Sequence, residues 1–381
     1  MKKKYKIAVN TRFLIPKKLE GIGTYSHQIL KRLVEQMPEI EFHFLFDRAY
    51  SEKYIYAKNV VPHILEPQAR HPFLWYWWFE KSVTNWLKKN SMDLFLSPDS
   101  FMSLKTETKT FLVMHDLSFE HFPKHVPLLV RTYYQYFFPK FAKKAAHIFA
   151  VSKFTKQDII DQYKIEADKI SIAYCGVAEV YKPISKEKQQ TIKNRISSGY
   201  PYFICIGSLN PRKNIQRVIL AFNLLKDQNK AFENYKLVII GAKGWKTNAL
   251  FQVINNSKYR EDILLLGHLE PQELAKYLAS AVALVFPSLF EGFGIPIIEA
   301  FKCNTPVITS NRSSTKEVGE RASILVDPLK VNSIKNAMAI FDQKFKKNPK
   351  FLNEMSEKLE EYNWNKTTII FKEEILQFLN K

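Results

Sequence analysis

The chain alternates short apolar runs with longer helical patterns, and this rhythm restricts it to an α/β fold. The first set of runs predicts strands at Tyr5–Asn10, Glu41–Phe46, Leu94–Pro98, Thr110–His115, His147–Ser152 and Ile170–Tyr174. The second set predicts strands at Tyr202–Ile206, Lys236–Ile240, Ile263–Gly267, Ala283–Pro287, Pro306–Ser310 and Ser323–Val326. Strands separated by helices form parallel βαβ units. We therefore predict two Rossmann-like, doubly wound domains with parallel sheets.

A polar segment separates the two sets of strands. It runs from Lys182 to Ser198 and is rich in Lys and Gln. A chain of 381 residues is also longer than one hydrophobic core usually fills. We predict a first domain over residues 1–190 and a second over 191–361, with a C-terminal helix at 362–381 that packs back on the first domain.

The net charge of +20 predicts an affinity for polyanions. The excess is +9 over residues 1–180 and +11 over residues 181–381, so it is not a basic tail. Nucleic acid, an anionic membrane surface and phosphate-bearing substrates all fit a charge spread in this way. A genomic bias toward Lys codons is the alternative explanation.

The cysteines and the apolar segments predict where the protein works. Cys175, Cys205 and Cys303 are widely separated and form no C-x-x-C pair, which indicates free thiols in a reducing compartment. The apolar run at residues 7–9 is too short for a signal peptide, and no stretch approaches the ~20 apolar residues of a membrane span. We predict a cytoplasmic protein that can touch the inner face of a membrane.

The strongest chemical signal is a glycine-rich turn that leads into a helix at residues 290–300. Pro296 suits the first turn of that helix. Helix N-termini bind anions, so a diphosphate would be held by the backbone of Gly292, Phe293, Gly294 and Ile295. Glu291 in the loop and Glu299 in the first helical turn would then bind hydroxyl groups of a sugar and a ribose. The alternative is a helix cap with two solvated glutamates.

The spacing of Glu291 and Glu299 within an E-G-F-G-x-P frame resembles the E-x7-E signature of retaining GT-B glycosyltransferases of family GT4. The resemblance covers nearly the whole chain. Further matching segments are 207–214, 241–245, 267–269, 285–288 and 305–311, with 21–25, 114–117 and 151–153 in the first half. It implies a GT-B fold, with two Rossmann-like domains facing a central cleft.

The resemblance also implies roles for single residues. Arg212 and Lys213 would grip the leaving diphosphate, and Ser208 in the same turn would contact the donor. His115 would lie beside the transferred sugar and help to stabilise positive charge at the anomeric carbon. Gly21 and Gly23, in a loop after the first strand, would let the backbone approach the donor phosphate or the acceptor. Asp116 either orients a neighbour or caps the next turn.

No D-x-D pair exists to hold a divalent metal against a diphosphate. We therefore predict no metal and no cofactor, with catalysis by electrostatic stabilisation of the leaving group and by positioning of the acceptor. The resemblance implies retention of anomeric configuration by same-face attack. It also implies a nucleotide-sugar donor, with GDP-mannose as the first candidate and a UDP-sugar as the second, and a glycan or lipid-linked acceptor in polysaccharide assembly.

Two aromatic segments in the first half have two interpretations. They cover residues 71–80 and 133–138, and lysines flank the second. Together they would form an interfacial surface for a lipid-linked acceptor, with aromatics at headgroup level and lysines on anionic lipid. Alternatively, both are core faces of amphipathic helices.

Other functions stay open as alternatives. One is a basic nucleic-acid-binding protein, although binding to nucleic acid does not predict the Glu291 and Glu299 frame. The others are enzymes of the same fold, namely a sugar-nucleotide epimerase or a glycogen-synthase-like polymerase.

Overall fold

The computed structural model describes residues 4–16, 19, 21–244, 246–346 and 350–380. The chain divides into two compact units. The first contains the residues up to Cys175 together with the C-terminal helix Trp364–Leu379, and the second is Gly176–Asn363.

The first unit is built on a seven-stranded parallel sheet in the order β3-β2-β1-β4-β5-β6-β7. Its strands are β1 Lys6–Asn10, β2 Glu41–Phe46, β3 Val60–Ile64, β4 Leu94–Ser97, β5 Thr110–Met114, β6 His147–Ala150 and β7 Ile170–Ile172. The chain reverses direction across the sheet between β1 and β4. Ligands of doubly wound sheets bind beyond the carboxyl ends of the strands at such a switch point.

The first-unit helices cover this sheet. They are α1 Gly21–Gln36, α2 Pro72–Trp77, α3 Thr84–Asn90, α4 Ser118–His121, α5 Leu128–Lys144 and α6 Lys153–Tyr163. A π-helical turn, Trp78–Val83, joins α2 to α3. The C-terminal helix packs on the same sheet, where the rings of Phe149 and Phe371 stack with centroids 3.8 Å apart.

The second unit repeats the architecture with a six-stranded parallel sheet in the order β10-β9-β8-β11-β12-β13. Its strands are β8 Tyr202–Ile206, β9 Lys236–Ile240, β10 Ile263–Gly267, β11 Ala283–Phe286, β12 Val307–Ser310 and β13 Ile324–Val326. Its helices are α7 Lys186–Ser197, α8 Ile215–Gln228, α9 Asn248–Asn255, α10 Pro271–Ser280, α11 Ile295–Lys302, α12 Ser313–Gly319, α13 Val331–Lys346 and α14 Lys350–Glu361. The switch point lies between β8 and β11.

The predicted fold class of two Rossmann-like parallel-sheet domains is confirmed, and each of the twelve predicted strands is present within two residues at either end. The sequence prediction missed β3. That strand carries Pro62, which cannot donate a hydrogen bond to a neighbouring strand and is therefore tolerated only at a sheet edge. β3 occupies this position, pairing with β2 alone.

The division between the units lies at residues 175/176 rather than at the predicted 190/191. Residues 176–190 belong to the second unit because their side chains and the helix that follows pack there. Tyr181 is buried, and Arg195 of α7 forms an ion pair with Glu273 of α10 at 2.6 Å. Polar composition marked the segment as a linker, but the hydroxyl of Tyr181 donates to Glu299 of α11 and so joins the segment to the second unit.

All three cysteines are buried free thiols, as predicted. No helix among the described residues is both long and apolar enough to cross a membrane.

Candidate active site

The predicted donor-binding residues of the second unit lie on two loops beside the switch point of its sheet. The loop after β8 carries Ser208, Arg212 and Lys213, and the loop after β11 carries Glu291. Backbone contacts join the two loops directly, since the N–H of Leu289 donates to the carbonyl of Arg212 at 2.8 Å. The parallel topology thus brings together residues that are almost 80 positions apart.

Glu291 forms ion pairs with both basic residues of the predicted diphosphate grip. Its Oε2 lies 2.6 Å from Nη1 of Arg212, and its Oε1 lies 2.7 Å from Nζ of Lys213. Arg212 also donates to the carbonyl of Phe290 at 2.5 Å. Because each carboxylate oxygen accepts from a different cation, the three side chains hold one another in a fixed arrangement.

The electrostatics of this trio favour an ionised Glu291. Burial by itself raises the pKa of Glu291, but the positive charges of Arg212 and Lys213 outweigh burial and lower it to about 2. Two cations against one carboxylate leave a net positive charge of one on the trio. A site of this kind can stabilise an anion that develops during a reaction.

The turn before α11 is fixed by hydrogen bonds to the first two residues of α12. Gly294 adopts φ +110°, a left-handed conformation that side chains rarely accept. The hydroxyl of Ser314 donates to the carbonyls of Glu291 and Phe293 at 2.7 and 2.9 Å, and the N–H of Glu291 donates to the hydroxyl of Ser313 at 3.1 Å. Ser313 and Ser314 were not predicted as site residues, because a single sequence does not indicate that the start of α12 contacts this turn.

Glu299 lies one turn deeper than predicted. α11 begins at Ile295, so Glu299 is its fifth residue and stands outside the first turn. Its carboxylate accepts a hydrogen bond from the hydroxyl of Tyr181. Burial raises the pKa of Glu299 to about 7, although the bond from Tyr181 favours the charged form. This carboxyl group therefore titrates near neutral pH.

Asn214 connects the two loops to a third and was not predicted as a site residue. It has φ 61° and precedes α8. Its buried amide donates to the carbonyls of Pro287 at 3.0 Å and Pro328 at 2.7 Å. The side chain therefore fixes the distance between the strand ends that carry Lys213 and Glu291.

His115 of the first unit follows β5 and is fixed by the loop after β4. Its Nε2–H donates to the carbonyl of Pro98 at 2.7 Å, and its backbone N–H donates to the hydroxyl of Ser100 at 3.4 Å. The carbonyl can only accept, so Nε2 carries the proton and Nδ1 is the basic nitrogen of the neutral ring. Burial lowers the pKa of His115 and keeps the ring neutral at pH 7.

A buried ion pair supports the loop that fixes His115. Nε of Arg12 lies 2.5 Å from Oδ2 of Asp99, and the two side chains are 4% and 2% exposed. The guanidinium also lies 4.0 Å from the ring centroid of Phe101. Oδ1 of Asp99 accepts from the hydroxyl of Ser97 and from the N–H of Phe101, so one carboxylate organises the whole loop. Neither Arg12 nor Asp99 was predicted as a site residue.

Gly21 and Gly23 lie in the first turn of α1, which corrects the prediction of a loop. A Cβ on Gly23 would lie 2.6 Å from the carbonyl oxygen of Phe13, so this glycine permits a close approach of the helix to the preceding loop. Tyr25 on the same helix contacts the ring of His115 edge-on, with centroids 5.0 Å apart. The structure therefore brings this helix start and His115 together.

Three further predictions concern residues around these loops. Oδ1 of Asp116 accepts from the N–H of Ser118 at 2.9 Å, a local turn just before α4. Trp245, in one of the segments that carry the family resemblance, lies outside the described residues. Over residues 4–16, 19, 21–244, 246–346 and 350–380, no three or more His, Cys, Asp and Glu side chains form a group able to hold a metal ion.

The aromatic segments contain both buried and exposed side chains. Trp78 and Phe79 are completely buried, and Tyr133 and Phe138 are nearly so. Other members of the same helices are exposed, namely Phe73, Tyr76, Trp77 and Tyr136. The interpretation as core faces therefore holds for the buried members and does not account for these four exposed rings.

Comparison with known proteins identifies the family. Residues 19–179 match the family described as Glycosyltransferase Family 4, and residues 186–362 match Glycosyl transferases group 1. The chain is 27% identical to O-antigen chain mannosyltransferase B of Escherichia coli over 327 residues, 83% of this chain and 85% of that protein. It is 27% identical to O-antigen chain mannosyltransferase RfbU of Salmonella typhimurium over 302 residues, 77% of this chain and 79% of that protein.

Solved structures show the same fold at low sequence identity. Sucrose-phosphate synthase from Thermosynechococcus elongatus superposes with a TM-score of 0.78 at 15% identity, covering 99% of both chains. HepE from Anabaena, solved with UDP and glucose, superposes with a TM-score of 0.74 at 15% identity, covering 97% of this chain and 99% of that one. The two family matches and the mannosyltransferase relatives favour glycosyl transfer over the nucleic-acid-binding alternative. The family matches over residues 19–179 and 186–362 show that the chain belongs to the GT4-type glycosyltransferases, and the superpositions show that it has their GT-B fold.

Proposed function

We propose that the protein transfers mannose from GDP-mannose to a glycan or lipid-linked acceptor in cell-surface polysaccharide assembly, with retention of configuration. The observation that carries this proposal is the trio of Arg212, Lys213 and Glu291 at the switch point of the second sheet. The sugar and the pathway follow from the relatives in Escherichia coli and Salmonella typhimurium, whose names describe O-antigen mannosyltransferases.

The trio explains how bond cleavage would proceed without a metal. As the bond between the anomeric carbon and the diphosphate breaks, negative charge develops on the leaving group. Arg212 and Lys213 are already oriented by Glu291, so they need little reorganisation to neutralise that charge. The backbone of Gly292–Ile295 and the hydroxyl of Ser208 would complete the donor site, and Glu299 would accept hydrogen bonds from the ribose.

His115 would act on the sugar itself. Its neutral ring presents no positive charge to an oxocarbenium-like transition state, and Nδ1 can accept a hydrogen bond from a sugar hydroxyl. The bond from Nε2 to the carbonyl of Pro98 keeps the ring in this tautomer. Gly21 and Gly23 would let the start of α1 approach the substrate.

A panel of nucleotides and nucleotide sugars in a thermal-shift assay tests the donor. GDP-mannose at 100 times its dissociation constant should stabilise the fold by about 2.7 kcal/mol, and the shift should persist in chelator. A shift produced by UDP-sugars alone would replace the proposed donor. No shift with any GDP, UDP or ADP compound would contradict the donor site. If a nucleotide sugar does bind, analysis of the products separates transfer from epimerisation and polymerisation.

Donor affinity should depend on pH through Glu299. The charged carboxylate accepts ribose hydroxyl bonds, so affinity should rise with pH and level off above the pKa of about 7. If only the charged form binds, the dissociation constant at pH 6 should be about tenfold higher than at pH 8. Binding of GDP-mannose measured by calorimetry checks this, because an intact sugar diphosphate has no terminal phosphate that titrates near pH 6.

Two variants serve as controls for the pH profile. Glu299→Gln should flatten it, since the amide does not titrate. Tyr181→Phe removes a bond that favours the charged carboxylate, so it should move the midpoint above 7. An unchanged profile in Glu299→Gln would assign the titration to another group.

We further propose that the protein works on the cytoplasmic side of an anionic membrane surface. The spread of its +20 charge over both halves supports this placement, as does the exposure of aromatic residues in the first unit.

A further inference from the structure

An apolar groove of about 430 Å³ lies between α2 and α5 of the first unit. We call it the α2–α5 groove. Phe73 and Tyr76 line one side, and Leu129, Tyr136 and Phe137 line the other. It has no part in the mechanism above. Its lining offers almost no polar group, so a sugar or a nucleotide would find few hydrogen-bond partners there.

Apolar residues are highly exposed in the groove and on its rim, which we define as Trp77 and Leu128, the sequence neighbours of the lining residues Tyr76 and Leu129. Phe73 is 69% exposed, Leu128 67%, Tyr136 57% and Trp77 54%. Single exposed apolar residues are ordinary on a protein surface, but a contiguous group of this kind marks an interaction site.

The exposed residues stand on firmly anchored helices. On the inner side of α2, the ring of Trp75 stacks on Tyr134 of α5 with centroids 5.8 Å apart. The indole N–H of Trp78, one residue beyond α2, donates to the carbonyl of Leu65 at 2.7 Å. The inner faces of these segments fill the core, so the outer aromatics are held outward by packing and are not exposed by fraying.

The charged side chains of the two helices that form the groove are all positive. Residues 67–79 and 122–144, which contain both helices, include six Lys and Arg residues and no Asp or Glu. Nζ of Lys140 lies 3.2 Å from the ring centroid of Tyr136. Nζ of Lys105 lies 5.9 Å from the ring centroid of Tyr76. Ammonium groups thus stand directly beside the exposed rings.

We propose that the α2–α5 groove and its rim insert into the interface of an anionic phospholipid bilayer. Exposed aromatic rings suit the boundary between headgroups and acyl chains, and the neighbouring ammonium groups suit anionic headgroups. Charge complementarity thus selects a lipid surface as the occupant. The inference deepens the proposed membrane association and rests on it, but its test needs neither donor nor acceptor.

Sedimentation of the full chain with vesicles tests the proposal. The wild type should bind vesicles of equal parts phosphatidylglycerol and phosphatidylcholine, and it should bind pure phosphatidylcholine at least tenfold more weakly. Added salt should weaken the binding, since headgroup attraction is screened. The triple variant Phe73→Ser/Trp77→Ser/Tyr136→Ser should lose at least tenfold in affinity for the anionic vesicles.

A matched control changes exposed apolar residues of the other unit. Leu329 and Leu352 are 47% and 52% exposed, and Leu329→Ser/Leu352→Ser should bind anionic vesicles like the wild type. Equal losses in both variants would overturn the proposal. Far-ultraviolet circular dichroism and a urea unfolding midpoint close to those of the wild type show whether the groove variant is folded. If that variant does not fold, quenching of tryptophan fluorescence by brominated acyl chains replaces it as the test, since Trp77→Phe should remove most of the quenching seen in the wild type.

Other occupants give different results. A wild type that dimerises with rising concentration and ignores vesicles would assign the groove to a second copy of the chain. A wild type that binds no anionic vesicle yet transfers mannose would overturn the groove proposal and leave the proposed catalytic function intact. A wild type that binds anionic vesicles but does not transfer mannose would overturn the proposed catalytic function and leave the groove proposal intact.

Discussion

Lys213→Ala should lower kcat/KM for sugar transfer by about 100- to 1000-fold, the cost of removing one preorganised group that stabilises a developing anion. Lys213 lies 2.7 Å from Glu291 in the trio that would receive the leaving diphosphate. Its loss also cancels the net positive charge of that trio, because one cation then faces one carboxylate. Steady-state transfer assays with GDP-mannose measure the change.

Controls separate catalysis from folding in this experiment. Lys213→Arg keeps the charge and should recover part of the lost activity. Lys258→Ala removes a lysine that is 71% exposed and paired with Asp227, and it should leave kcat/KM unchanged. If Lys213→Ala keeps wild-type kcat/KM, the trio is a structural ion cluster and the proposed mechanism is wrong.

Arg12→Met should destabilise the first unit by about 3–5 kcal/mol, because it leaves the carboxylate of Asp99 buried without its cation. The pair is almost completely inaccessible to solvent, with Asp99 only 2% exposed. Urea denaturation followed by tryptophan fluorescence measures the loss. Five of the six tryptophans belong to the first unit, while Trp245 alone falls between residues 176 and 363, so the signal reports mainly on the first unit.

A double variant shows what the buried pair does besides stabilising the fold. Arg12→Met/Asp99→Asn removes both charges and should recover much of the lost stability. Its kcat should stay low while KM for the donor stays near normal, since the loop that holds the Pro98 carbonyl against His115 is no longer organised by Asp99. Arg195→Met, which breaks an exposed ion pair, should cost at most about 1 kcal/mol. Full recovery of kcat in the double variant would restrict the pair to a structural role.

Much of the fold could be predicted from local sequence patterns. Twelve of the thirteen strands were predicted, because short apolar runs between helical segments report burial on both faces of a parallel sheet. The exception is β3. Its Pro62 lowers the strand propensity of the segment, and a strand with this proline is stable because it lies at the edge of the sheet, a position that the sequence does not reveal.

The residues of the candidate site were predictable only where each belongs to a short motif of neighbouring residues. Glu291, Arg212 and Lys213 stood out through their places after strands and through the family resemblance. The hydrogen bonds that orient these residues could not be predicted. Ser314 donates to the carbonyl of Glu291 and Asn214 donates to that of Pro287, and these partners are far apart in the sequence. Glu299 was placed in the first turn of α11 but lies in the second, because a sequence pattern locates the start of a helix only to within one or two residues.

The sequence by itself determined three features: the succession of strands and helices along the chain, the glycine-rich turn before α11 and the basic pair after β8. Each of them depends only on residues that are close together in the sequence. The tertiary structure alone decided which partners these residues meet. Arg12 reaches Asp99 across 87 positions, and Lys213 reaches Glu291 across 78. Parallel crossovers bring distant strand ends to one edge of a sheet. Packing of the inner helix faces decides which aromatic side chains remain exposed. Both depend on contacts between residues that are far apart in the sequence.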